Sequence, residues 1–306
     1  MVIINKKIDL YFIKFPIFLP LIFAFTLYTF PNYENILIFF TLLFLAEPHF
    51  GATLPFFFNR DNLPKILSEK IKFIIIPILV ILFSIIGFFY FYLFFILTFL
   101  AANFYHVTRQ SYGICKLYTK DTKELDVQEF FIYFFNLLFF VVALNRFSID
   151  YLSEYNLIIN LIIIISIILV SYIYIKKFKF SENYLTMLTG ILIFFPVCFV
   201  SKPIHAIVMG VTMHYSQYLI LTHKIVKNRN IQNGLSNPGL KFFTIILIYG
   251  ILMATSSTTA IVNEDVFRSL IVIPLVGQMF HFYIDSNLWK FSDKHHRDVT
   301  LKHLLS

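Results

Sequence analysis

The chain has 306 residues, of which 58% are hydrophobic and only 14% are charged. Soluble domains of this size do not have such a composition, whereas long segments almost free of charge are typical of transmembrane helices. The net charge of +8 would elsewhere suggest a nucleic-acid partner. Here most lysines and arginines lie between apolar segments, where they set orientation in a membrane. We therefore expect an integral membrane protein surrounded by lipid, with no nucleic-acid partner.

Ten apolar segments follow one another, each close to the length of about 20 residues that crosses a bilayer as a helix. We predict one all-α transmembrane domain, residues 1–306, with ten spans. They lie near 10–30, 35–57, 71–88, 91–114, 127–145, 155–175, 183–201, 203–223, 240–262 and 267–289. The basic start lacks a small-residue cleavage motif, so we interpret it as part of a retained first helix. The run from 71 to 113 is too long for one span and should break near Gly87 into a helical hairpin.

The distribution of lysine and arginine predicts the orientation of these spans. With ten spans, the loops on the side opposite the two termini contain only Arg146, Lys202 and Arg268. By the positive-inside rule both termini are then cytoplasmic. We expect a multi-pass protein of the cell's inner membrane. In this topology Cys115 and Cys198 lie at opposite membrane faces and cannot form a disulfide within one molecule.

The polar segments outside the spans are too short to fold independently. We interpret the connections near 58–70, 116–126 and 224–239 as ordinary loops. The basic tail after residue 289, with His295 and His296, is interpreted as a solvated interfacial helix. Neither kind of segment predicts a separate functional domain.

Four histidines lie inside the apolar segments: His49, His106, His214 and His281, on predicted spans 2, 4, 8 and 10. Each of these spans runs from outside to cytoplasm, which places all four roughly 17–22 Å below the outer boundary. Ionisable side chains at such depth are costly and usually functional. Because imidazole is a good ligand for iron, copper and zinc, four at one depth predict a metal site in the cytoplasmic half of the membrane.

The second span adds a carboxylate close to its histidine. Glu47 precedes His49 in the sequence AEPHFGAT, and Gly51 allows close helix packing. In a regular helix Glu47 and His49 would point apart, but a break at Pro48 would bring them together. We expect Glu47 to be a terminal or bridging carboxylate ligand.

Polar residues share a helix face with the other three histidines. Helical spacing places Arg109 and Gln110 beside His106, Gln217 beside His214, and Asp285 beside His281. Gln110, Gln217 and Asp285 are suited to orient histidine rings through the ring N–H group. Arg109 is suited to neutralise a carboxylate or to bind an anionic oxygen species. In the last span Gln278, His281, Asp285 and Trp289 form one stripe.

The Pro48-His49-Phe50-Gly51 motif, with single histidines on several other spans, resembles the Brp/Blh family. Members of that family are bacterial membrane enzymes that cleave β-carotene with iron and dioxygen. The family's His-Gly pair followed by an acidic residue is absent here, because Phe50 follows His49. The resemblance implies a ligand role for His49 and for His106, His214 and His281, but does not transfer the substrate.

The first hypothesis is a membrane non-haem iron oxidoreductase that holds one or two iron ions, or another transition metal. It would use dioxygen on a lipid-soluble substrate such as a carotenoid, another isoprenoid or an acyl chain. The sequence leaves open whether an electron donor takes part. Three alternatives stay open: a transporter or channel with a histidine proton relay, a haem-binding electron carrier, and histidines that serve only polar packing between helices.

Overall fold

The structure is a computed structural model that describes residues 2–149, 156–262 and 268–306. Within these ranges all regular secondary structure is helical, and no strand occurs. The predicted starts of two spans, at residues 155 and 267, lie outside the described residues. The all-α class predicted from composition is confirmed.

The main helices follow most of the predicted segments, but the helix in 183–201 is much shorter than predicted and the one predicted at 203–223 is shifted toward the C-terminus. They are α1 (Phe18–Thr29), α2 (Pro31–Phe57), α3 (Ile71–Tyr90), α4 (Tyr92–Tyr118), α5 (Thr122–Phe147), α6 (Asn156–Phe178), α7 (Glu182–Leu192), α8 (Thr212–Gln232), α9 (Leu240–Val262) and α10 (Ser269–Leu288). Four of them, α2, α3, α5 and α10, include short π or 3-10 turns. A further helix, Lys6–Lys14, precedes α1 and is bent by 54° against it.

Among the described residues, six helices are long and apolar enough to cross a membrane: α2, α3, α5, α6, α9 and α10. The bent pair of Lys6–Lys14 and α1 makes up to seven if it counts as one span. Helix α4 is long enough, but polar residues such as His106 and Arg109 interrupt its apolar sequence, and α7 has only 11 residues. The class of multi-pass helical membrane protein is thereby supported.

The predicted hairpin is present, but its break lies at Phe91, four residues after Gly87. Helix α3 ends at Tyr90 and α4 begins at Tyr92. The rings of Phe83 and Phe95 are 6.4 Å apart, whereas twelve residues of continuous helix would separate them by about 18 Å. Gly87 instead serves packing, because a Cβ atom there would lie 3.1 Å from the Cβ of Phe95.

Pro48 does not break its helix, which corrects the prediction. Helix α2 continues through it because a π turn, Leu42–Ala46, immediately precedes the regular turn Glu47–Gly51. The wider turn accommodates a residue that has no N–H group to donate. Within Glu47–Gly51 the backbone is regular α-helix, so Glu47 and His49 project in different directions.

The chain divides into two compact units, each built from two stretches of sequence. The first unit comprises Met1–Leu37 and Phe104–Gln217, and the second unit comprises Ile38–Asn103 and Tyr218–Ser306. The units alternate along the sequence. The prediction of a single transmembrane domain stays a prediction.

In the first unit, α5 and α7 pack closely. The Asn136 amide donates to the Gly190 carbonyl at 3.2 Å, and a Cβ on Gly190 would lie 3.0 Å from the Ile132 side chain. Cys115 and Cys198, which were predicted not to pair, are both free thiols in this unit, and both are buried.

In the second unit, α2 packs directly on α9, which fixes the position of the helix turn that carries His49. A Cβ on Gly51 would lie 2.8 Å from the Tyr249 ring, and one on Gly250 would lie 2.8 Å from the Leu43 carbonyl oxygen. Such close approach is typical of small residues between membrane helices. The expectation that Gly51 allows close packing is confirmed.

The C-terminal tail is buried on one side, so the prediction of a solvated helix is wrong. Residues 294–305 are helical, and His296 and Leu304, eight apart on one face, are only 1% and 0% exposed. The guanidinium group of Arg229 donates to the Val299 carbonyl at 3.2 Å. The short sequence did not disclose this face because its apolar residues are few.

Two predicted loops are partly helical. Helix α8 extends to Gln232, into the connection predicted at 224–239, and a short helix, Leu63–Ser68, lies within 58–70. Arg229, which lies within the loop predicted at 224–239, is only 2% exposed. Its burial is matched by hydrogen bonds to backbone carbonyls and by Asp61, whose carboxylate lies 3.5 Å from its Nε.

Candidate metal centre

Two of the four histidines meet inside the second unit. His49 on α2 and His281 on α10 are 0% and 1% exposed, and their Nε2 atoms are 3.1 Å apart. Their rings are inclined at 62° to each other. The π turn before Pro48 and the packing of Gly51 against Tyr249 set the position of His49. The two histidines are 232 positions apart in the sequence but lie in direct contact in the fold.

The distance between the two nitrogens fits two ligands of one metal ion. Imidazole nitrogens bound to the same metal at about 2.1 Å are about 3.0 Å apart at a 90° angle and about 3.4 Å apart at the tetrahedral angle. The observed 3.1 Å lies between these values. The same distance also fits a hydrogen bond from one ring to the other.

Apolar rings surround the pair. The Phe50 ring is centred 5.0 Å from His49 and 5.1 Å from His281, and the Phe282 ring lies 5.8 Å from His281. Phe50 and Phe282 are themselves buried. A metal or a reactive species at the two nitrogens would therefore be shielded from water on this side.

The other ring nitrogen of His281 lies in a chain of hydrogen bonds. Its Nδ1 is 2.6 Å from the Thr53 hydroxyl, which is 3.0 Å from the hydroxyl of Tyr218. The Tyr218 hydroxyl donates to Oδ1 of Asp285 at 2.7 Å, and the Trp289 indole N–H donates to the same oxygen at 2.7 Å. Asp285 thus acts on His281 through two hydroxyl groups.

Glu47 is fully buried on the same helix as His49. Among the described residues neither of its carboxylate oxygens has a hydrogen-bond partner, although the Gln278 side chain is a polar neighbour. A buried carboxylate without hydrogen bonds is costly unless it is protonated or binds a cation. The kink that was expected to join Glu47 to His49 is absent, so its role as a ligand stays a prediction.

The other two histidines meet inside the first unit. His106 on α4 and His214 on α8 are buried, and their ring centres are 5.5 Å apart with the planes at 88°. The Gln217 amide, one turn after His214, donates to the Ile13 carbonyl at 2.6 Å, and Ser216 donates to the Phe12 carbonyl at 3.1 Å. These bonds attach α8 to the Lys6–Lys14 helix.

Arg109 and Gln110 lie one turn beyond His106 on α4, as the spacing predicted, and both are half-buried. Their proposed roles, like the orienting role of Gln217, stay predictions. Asp285 is connected to His281 through Tyr218 and Thr53, and its orienting role also stays a prediction.

Sequence analysis did not single out Thr53 and Tyr218. A signal for both was present, because Thr53 follows His49 by four residues and Tyr218 follows His214 by four residues. That spacing places residues on one helix face. Threonine and tyrosine were overlooked because they are common in membrane helices and are not metal ligands of the expected type.

No known protein family matches the chain, and searches of curated proteins and of solved structures also find no similar protein.

Proposed function

We propose that the chain is an integral-membrane, non-haem iron oxidoreductase that uses dioxygen on a lipid-soluble substrate. The observation that supports it most is the contact between His49 and His281, whose Nε2 atoms lie 3.1 Å apart in a buried, apolar setting. A pair of imidazoles at this distance is suited to bind one transition-metal ion.

The types of donor are compatible with iron. Two histidines and one carboxylate are the ligands of many non-haem iron oxygenases. His49 and His281 would be the histidines, and the proposal takes the buried Glu47 as the carboxylate although it projects from α2 in a different direction from His49. The proposal also assigns ligand roles to His106 and His214, from their predicted depth in the membrane. One or two ions per chain are consistent with this number of donors.

When bound, iron would supply the activation of dioxygen. His49 and His281 would hold the iron through their Nε2 atoms, and the hydrogen bond to Thr53 would orient the His281 ring. Phe50 and Phe282 would exclude water and limit the escape of reactive intermediates. The proposed substrates, carotenoids, other isoprenoids or acyl chains, share solubility in the bilayer.

The proposed setting is the cell's inner membrane, with ten spans and both termini cytoplasmic. The exposed isoleucine- and leucine-rich surface of α6, which includes Leu161, Ile165 and Ile168, is suited to lipid contact. A lipid-soluble substrate would reach the site laterally from the bilayer. The metal would lie in the cytoplasmic half of the membrane.

Metal content of detergent-purified protein tests the proposal. We expect one or two iron ions per chain, reduced in His49→Ala, His106→Ala, His214→Ala and His281→Ala. His205→Ala is the matched control, because His205 contacts Glu34 and belongs to neither histidine pair. A folded wild-type protein that contains no transition metal after expression with iron would contradict the proposal.

A second candidate is proton-coupled transport, which the hydrogen-bond chain from His49 to Asp285 favours. Such a chain is able to carry protons between buried groups. Proton flux into liposomes that His281→Ala or His214→Ala abolishes, from protein without metal, would support this candidate instead. A haem would not fit between His49 and His281, because their Nε2 atoms are only 3.1 Å apart.

A further inference from the structure

We infer that Thr53, Tyr218 and Asp285 are positioning residues that hold His281 in the tautomer with its proton on Nδ1. The Nε2 atom then carries a lone pair directed at His49. The consequence for metal binding rests on the proposed function, whereas the tautomer follows from the hydrogen-bond chain alone.

Trp289 determines which group donates and which accepts along this chain of hydrogen bonds. An indole N–H only donates, so Oδ1 of Asp285, 2.7 Å away, is an acceptor. The same Oδ1 accepts the Tyr218 hydroxyl at 2.7 Å. The opposite direction would need a proton on the oxygen that already accepts the Trp289 N–H.

Each hydroxyl has only one hydrogen to donate, so the direction of one hydrogen bond determines the direction of the next. Since Tyr218 donates to Asp285, its oxygen accepts from Thr53 at 3.0 Å. Since the Thr53 hydrogen is used there, its oxygen accepts from His281 at 2.6 Å. The Nδ1 atom of His281 is therefore the protonated one.

The Nε2 atom of neutral His281 then has no hydrogen. Without metal it faces Nε2 of His49 across 3.1 Å, and with metal it is ready to coordinate. A histidine fixed in the ligating tautomer does not have to rearrange when metal binds. Thr53, Tyr218 and Asp285 thus prepare one ligand in advance.

The test is nitrogen NMR of metal-free protein with ¹⁵N-labelled histidine rings, at about pH 8.5 where an ordinary histidine is neutral. The ring signals of His281 are assigned by their loss in His281→Gln. We expect the Nδ1–H tautomer in the wild type. An Nε2–H tautomer at His281 would overturn the inference, whether or not the protein binds metal.

Tyr218→Phe tests the cause of the tautomer. The Thr53 hydroxyl then loses its acceptor and is free to donate to Nδ1, so we expect His281 to change to the Nε2–H tautomer. Tyr283→Phe is the matched control, on the helix that carries His281: its hydroxyl donates to the Lys72 carbonyl and takes no part in the hydrogen-bond chain. An unchanged tautomer in folded Tyr218→Phe would also overturn the inference.

Thr53 supplies a conservative comparison that does not depend on Tyr218. We expect Thr53→Ser to keep the Nδ1–H tautomer and Thr53→Val to lose the preference. In addition, iron affinity should fall about 10- to 100-fold in Tyr218→Phe, the usual effect of removing a partner of a metal ligand. If the tautomers behave as expected but no variant or wild type binds iron, the proposed function fails and the tautomer assignment stands.

Discussion

The two units each bring two buried histidines together, but they surround them differently. In the second unit, Thr53 connects His281 to further polar side chains that end at Asp285. In the first unit, the polar side chains that follow His214 bind backbone carbonyls of another helix. The same kinds of residue therefore hydrogen-bond toward a histidine ring in one unit and join helices in the other.

This difference shows that a polar residue one turn from a histidine has no fixed role. Asp285 and Gln217 each lie within one helix turn of a histidine. Asp285 accepts from Tyr218, whereas the Gln217 amide donates to Ile13. The following predictions test whether the two units respond separately.

The largest effect is expected from Gly210→Ala in the first unit. A Cβ there would collide with the carbonyl oxygen of Ile193, a backbone atom that cannot move aside as a flexible side chain does. We expect a loss of about 3 kcal/mol or more in unfolding free energy, measured by thermal unfolding in detergent. Gly113→Ala is the control in the same unit, because no heavy atom lies within 4 Å of the added Cβ. Equal stability of the two variants would contradict this packing.

Gly51→Ala should have the next largest effect, in the second unit. The added Cβ would lie 2.8 Å from the Tyr249 ring and force α2 and α9 apart. We expect a loss of about 1–3 kcal/mol in unfolding free energy, with weaker iron binding because the turn of His49 shifts. Gly239→Ala, whose Cβ would meet only ordinary contacts, is the control. Full stability and full iron content in Gly51→Ala would show that the close packing does not position His49.

Low pH should lower the unfolding free energy through His296, in the C-terminal tail of the second unit. Burial lowers the pKa of His296 to about 4, while Asp293 partly opposes this and His295, Lys72 and Lys65 reinforce it. The pKa of His296 is lower in the folded protein than its unfolded value of about 6.5. Its contribution to the unfolding free energy is therefore fully present above pH 6.5 and is lost as the pH falls toward 4.

We expect a loss of about 1–2 kcal/mol across that range, discounted for solvent screening. The measurement is unfolding free energy against pH for wild type and His296→Phe. The variant keeps the ring but cannot take up a proton, so its curve should be flatter. The same slope in both proteins would show that His296 is not the group responsible.

The smallest effect is expected from Gln217→Ala in the first unit. The change removes the hydrogen bond to the Ile13 carbonyl and should cost about 1 kcal/mol of unfolding free energy. The Gln217 amide donates to a backbone carbonyl and not to a histidine ring. We therefore expect Gln217→Ala to lose less iron than Asp285→Ala. A larger loss of iron than in Asp285→Ala would reverse the comparison between the two units.

The sequence predicts the helices well because hydropathy alone decides whether a segment of about 20 residues suits a bilayer. Helix α6, with an unbroken isoleucine-rich run, is found where it was expected. Breaks are harder to place. Gly87 was the obvious candidate, yet the chain turns at Phe91, because the glycine is used for contact with Phe95.

The histidines could be identified from sequence, but their partners could not. Which face of α2 meets α10 depends on helix rotation, and rotation depends on contacts such as that of Gly51 with Tyr249. The π turn before Pro48 also changes the rotation, and no local signal in the sequence distinguishes it from a break. The spacing of Thr53 and Tyr218 from a histidine is present in the sequence, but their hydrogen bonds to each other and to His281 are seen only in the structure.

Iron X-ray absorption of the purified protein tests the central claim most directly. The account predicts iron with at least two imidazole nitrogens at about 2.1 Å, and the loss of this signal in His49→Ala and His281→Ala but not in His205→Ala. A folded wild type without iron, or iron whose surroundings are the same in all three variants, would contradict the account.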